Sequence, residues 1–95
     1  MKYKVDFRAS CKKDFKQINK ADIQFIKNSL IEFGNNFSTN YERSLMNSEK
    51  IKKLKGQKEV LYRLKLRSFR IVYKKEENKL IILVVKVTTR EGAYK

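Results

Sequence analysis

Ninety-five residues with 24 Lys plus Arg against 10 Asp plus Glu carry a formal charge of +14, and the chain has no His, no Pro and one Cys. This length makes a single domain over 1–95, and 41% apolar with 12% aromatic residues excludes a disordered chain. Cys11 alone cannot form an internal disulfide, and without His there is neither a metal-ligand cluster nor a Ser-His-Asp set. No apolar run approaches the roughly 18 residues of a membrane span, so a cytoplasmic protein with no metal and no cofactor is expected.

Tyr3, Val5 and Phe7 alternate with Lys4, Asp6 and Arg8, the period-two pattern of a half-buried strand. Ser10 is placed to cap a helix that turns Phe15 and Ile18 inward, with Cys11 a small residue on its half-buried side. A second helix restarts near Asn19–Asp22. Ile23, Ile26, Leu30 and Phe33 form its apolar stripe, and Gly34 with Asn35 and Asn36 signals its stop. Residues 35–50 are polar and read as a connector, with a helical turn on Tyr41, Leu45 and Met46 as the alternative. A short strand over 51–55 ends at Gly56.

Three strand-like runs follow. In 60–68, Val60, Tyr62, Leu64 and Leu66 point one way, towards the helices, and Arg63, Lys65 and Arg67 the other. Residues 69–74 form the next strand, Glu76, Glu77 and Asn78 a hairpin turn, and 80–87 an apolar strand covered by helices on one side. The predicted fold is α+β: an N-terminal strand, a two-helix hairpin, then an antiparallel three- to four-stranded sheet.

The charge is unevenly spread, with 14 cations and 4 acids in residues 51–95. Arg63, Lys65 and Arg67 at i, i+2 and i+4 lie within roughly 14 Å on a strand. Arg70 opens the neighbouring strand, and Lys86, Thr88 and Arg90 share a parity further on. Aligned as a meander, these groups converge on one cationic surface. A solvated face charged for solubility is the plain alternative. Solubility is served by mixed signs, however, and like charges opposed across strands destabilise a sheet. A single-sign cluster points instead to an absent anion, for which phosphate suits the guanidinium fork. One phosphate reaction needs only cations and a phenol. In RNA, the 2′-OH attacks the adjacent phosphorus, a lysine crowded by cations takes the proton, and arginines stabilise the transition-state charge. A tyrosine stacks on a base.

The order LKG at 54–56, YRLKLRSFRIVY at 62–73, an acidic turn, an apolar strand and VTTREGAYK at 87–95 resembles the RelE/ParE superfamily of bacterial toxins, in particular the RelE-type mRNA interferases. The resemblance implies a RelE-like microbial RNase fold and a type II toxin that cleaves mRNA on the ribosome. It also implies a cognate antitoxin partner, with an acidic tail that wraps the toxin. By position, Lys65 resembles the family's general base, Arg70 the arginine that stabilises the transition state, and Arg90 the group at the leaving oxygen. Tyr94 resembles the base-stacking tyrosine. Arg63, Arg67 and Lys86 would contact phosphate, and Thr89 stands where many relatives carry His. The alternatives are a ParE-like toxin that inhibits DNA gyrase without cutting RNA, and a non-catalytic RNA-binding domain.

Overall fold

The computed structural model describes residues 2–56 and 58–89. Along the chain lie β1 (Lys4–Phe7), α1 (Cys11–Phe15), α2 (Lys20–Asn36), α3 (Thr39–Asn47), β2 (Ile51–Lys53), β3 (Tyr62–Leu66), β4 (Phe69–Glu76) and β5 (Ile81–Thr89). A 3₁₀ turn at Glu77–Lys79 and a left-handed Leu80 connect β4 to β5. The five strands form one sheet in the order β1-β5-β4-β3-β2. The α+β class and the antiparallel run from β2 to β5 match the expectation. The strand count does not. Five strands form because β2 joins one edge, while β1 returns to lie parallel to β5 and makes the sheet mixed.

One face of this sheet is the core. Ile26 and Leu30 of α2, Ile71 and Tyr73 of β4, and Ile82 and Val84 of β5 are almost wholly removed from solvent. Each such side chain contributes about 1.5–3 kcal/mol of transfer free energy. The predicted stripe of α2 supplies Ile26, Leu30 and Phe33 to this core. Asn19 caps the helix, its side-chain oxygen accepting from the Asp22 N–H at 2.8 Å. Val60, expected inside the sheet, is 58% exposed, because pairing begins only at Tyr62.

Two local readings are corrected, at Ser10 and over residues 35–50. Helix α2 ends at Asn36, within the stop expected at Gly34–Asn36. There the glycine lets β1 approach: the Tyr3 N–H donates to the Gly34 carbonyl at 2.9 Å. Ser10 does not cap α1; it is in helical conformation, and its hydroxyl donates to the Val85 carbonyl at 3.1 Å. With Cys11 and Asp14 of α1 it forms a set that serves β5 where β1 ends. The Cys11 thiol donates to the Val84 carbonyl, and Asp14 Oδ2 accepts from the Val87 N–H at 2.9 Å. Burial pushes the Cys11 thiol up to about 11, with the nearby Asp14 adding to the shift.

The stretch read as a connector holds α3, capped by Ser38 Oγ accepting from the Tyr41 N–H at 3.0 Å. Its anchor is Glu42, only 5% exposed. Glu42 accepts from the Tyr73 hydroxyl at 2.7 Å and from Lys75 Nζ at 2.8 Å. Tyr73 stacks on Tyr62 and Lys75 lies over the same Tyr62 ring, so a buried polar unit ties α3 to β3 and β4. Burial, reinforced by Glu42, raises the Tyr73 phenol far above its ordinary value. For Lys75 burial works downward, but the Glu42 carboxylate outweighs it and the net shift is upward.

A Cβ on Gly34 would meet the Tyr3 carbonyl oxygen at 2.6 Å and Val5 at 2.9 Å. Alanine would gain about 0.5–1 kcal/mol of helix propensity, but overpacking against backbone costs about 1–3 kcal/mol. Gly34→Ala is therefore expected to lower the thermal midpoint by several degrees, and a raised midpoint would refute the close-approach account. Glu42→Ala leaves Lys75 and Tyr73 without their buried acceptor and is expected to cost about 3 kcal/mol in denaturant unfolding. Because the fold raises Lys75 above its usual 10.5, its contribution is full below that pH and is lost as pH rises through the folded value. The difference between wild type and Lys75→Met should therefore shrink in alkali; a constant difference would refute the linkage.

Candidate active site on the open sheet face

Strand alternation that sends Leu64, Ile71 and Val87 to the core sends their neighbours to the opposite face. There Lys65 stands directly across from Arg70, and Arg70 across from Thr88. In the next row Lys52 pairs with Arg63, Arg63 with Val72, and Val72 with Lys86. Five cations from four adjacent strands thus share one surface. With strands about 4.8 Å apart, the first row spans roughly 10 Å and the second roughly 14 Å. Glu49, Lys50, Lys52, Arg63 and Lys65 line a hollow of about 90 Å³ beside it.

Among the described residues, the charge on this face is compensated at one end only. Glu59 takes Lys74 Nζ at 3.1 Å and Arg8 Nη2 at 3.3 Å, and these two cations hold its carboxyl below the usual carboxylate range. Lys74 also lies 4.0 Å from Glu76. Among the described residues, Lys52, Arg63, Lys65, Arg70 and Lys86 have no carboxylate within 4.0 Å. Direct cross-strand opposition of Lys65 and Arg70 is destabilising by itself. A multivalent anion would reverse that sign.

Arg70 is 4% exposed. Its Nη1 donates to the Phe69 carbonyl at 2.9 Å and the Arg67 carbonyl at 3.1 Å. These neutral acceptors orient the guanidinium without cancelling its charge. Lys65 beside it is exposed. Sequence parity brings Lys65, Arg70, Arg63 and Lys86 together as expected.

Arg67 departs from the expected pattern. It does not emerge with Arg63 and Lys65: it has left the strand, with φ at +55°, and its guanidinium lies 3.8 Å from the centre of the Phe25 ring on α2. Alternation holds only within a strand, and Arg67 is in the turn that follows β3. Arg90 and Tyr94 lie outside the described residues. Sequence reasoning missed the Glu59 clamp, whose two partners, Arg8 and Lys74, are far from it and from each other along the chain; its one signal was a lone acid in a basic loop.

No family model matches the chain. Over its full length it is 36% identical, across 97 aligned residues, to the RelE1 toxin of Methanocaldococcus jannaschii, covering 98% of that protein. An arginine-to-alanine variant of the E. coli toxin RelE, solved in its free state, superposes with a TM-score of 0.64 at 26% identity, over 99% of this chain and 90% of that one. The archaeal RelE–RelB complex from Pyrococcus horikoshii OT3 gives a TM-score of 0.66 at 20% identity, over 95% of this chain and 97% of that one, a likeness of fold. With more than a third of its residues shared along the entire length of a RelE1 toxin, and with the same fold, the chain belongs to the RelE family of toxins.

Proposed function

We propose that this chain is the toxin of a type II toxin–antitoxin pair and acts as a metal-independent endoribonuclease on mRNA at the ribosome. The observation that carries the reading is the pairing of Lys65 with Arg70 inside a patch whose cations lack carboxylates among the described residues. An RNA strand bent over that patch supplies the missing charge. Lys65, exposed at the rim, accepts the proton of the 2′-OH as its oxygen attacks phosphorus. Arg70, held by two carbonyls, stabilises the charge that grows on the phosphoryl oxygens. Arg63 and Lys86, one row away, hold flanking phosphate. The bond to the 5′-oxygen breaks, leaving a 2′,3′-cyclic phosphate and a 5′-hydroxyl. The family pattern supports Arg90 as the group that meets the leaving oxygen and Tyr94 as the ring that orients the base.

The RelE–RelB complexes among the structural neighbours support an antitoxin partner for this chain as well. An acidic antitoxin tail lying on the cationic face would cover the site by charge complementarity. Such a pair works in the cytoplasm, where the mRNA and ribosomes are.

Induced expression is expected to arrest growth and truncate transcripts. Lys65→Ala, on an exposed side chain, should lower cleavage by about 10²–10³ without unfolding the protein. If Arg70→Ala combined with Arg90→Ala left arrest intact, the assignment of the site would be wrong. If the pure protein blocked gyrase supercoiling and left mRNA whole, the ribonuclease reading would give way to gyrase inhibition.

A further inference from the structure

We infer that Arg67 is a positioning residue for Arg70, acting through the hairpin turn and not through phosphate; this rests on the ribonuclease reading above. Three observations meet at this residue. Its backbone is left-handed at φ +55°, a conformation that side-chain-bearing residues adopt only where the surroundings impose it. Its guanidinium lies 3.8 Å from the Phe25 ring centre, within stacking distance of α2. Its carbonyl accepts from Arg70 Nη1 at 3.1 Å, beside the Phe69 carbonyl at 2.9 Å.

The order of dependence follows. A turn without glycine needs an external hold to keep a non-glycine residue left-handed. Phe25 provides it by fixing the far end of the Arg67 side chain to a helix anchored in the core. With Arg67 held, its carbonyl points at Arg70, and two acceptors on one nitrogen set the plane of that guanidinium. Arg67 thus spends its own charge on the ring and its backbone on the reactive arginine. A loose turn would leave Arg70 present but misaimed, and small misplacements of a catalytic group cost up to about 100-fold in rate.

The test uses two positions that meet only at the stack. Arg67→Asn tolerates the left-handed backbone but removes the cation. Phe25→Leu keeps apolar bulk but removes the ring face, and Phe25→Tyr keeps it. RNA cleavage is measured as kcat and KM over a range of salt, beside thermal midpoints and with Lys65→Ala as reference. Arg67→Asn and Phe25→Leu should each lower kcat about ten- to a hundredfold, with KM and the salt slope of KM nearly unchanged. The double variant should be no worse than either single, and Phe25→Tyr should retain wild-type kcat. A rise in KM with a shallower salt slope in Arg67→Asn, together with full activity in Phe25→Leu, would overturn the inference and return Arg67 to phosphate binding. If Lys65→Ala cleaved as well as wild type, the ribonuclease reading itself would fail. Loss in Lys65→Ala with none in the two stack variants would refute only the positioning role.

Discussion

The turn between β3 and β4 is the constraint on which the rest of the site depends. With only Arg67 and Ser68 between Leu66 and Phe69, the register of the hairpin is set, and Lys65 can face no residue but Arg70. A slip of one position would send every cation of β3 into the helices and every core residue into water. The burial of Leu64 and Ile71 on one face is therefore also what holds Lys65 and Arg70 together on the other. Packing and chemistry are two sides of one ladder.

The two faces differ in how they handle charge. On the helical side Lys75 is half-buried, but it has Glu42, and Tyr73 completes the unit. On the open side Glu59 neutralises the end near Arg8 and Lys74, while among the described residues Arg70 receives carbonyl oxygens and no carboxylate. A cluster of cations without a carboxylate among the described residues, beside two places where cations are paired, carries a standing electrostatic cost. A polyanion laid on the cluster would remove that cost. A +14 chain attracts such partners from a distance, and the local arrangement decides where they settle.

Much of this was legible in the residues themselves. Period-two alternation at Tyr3–Phe7 and Tyr62–Leu66 located two strands, and the Ile26, Leu30, Phe33 spacing located the long helix with its buried face. The same alternation put Arg63, Lys65 and Lys86 on one surface. What stayed hidden depends on contacts distant in sequence. Helix α3 hides because one of its inward residues is a carboxylate, Glu42, satisfied by a strand some thirty positions later. Gly34 has the local signature of a helix stop, and only the approach of Tyr3 shows that it makes room for a strand. Ser10 has the chemistry of a cap, but β5 offers its hydroxyl a carbonyl. Arg67 continues the strand pattern by letter, and only the turn diverts it towards Phe25.

The parallel pairing of β1 with β5 has a consequence for how the molecule comes into being. Residues 4–7 dock against residues 81–84, so one strand waits for a partner that is made 77 residues later. Contacts of such long separation form slowly, because the intervening loop must close before they are rewarded. While the chain is still being synthesised, β5 is missing from between β1 and β4, and Lys86 with it. Until residues 81–89 have been made the sheet is split: β1 has no strand to pair with, and the row through Arg63 and Val72 lacks its last cation.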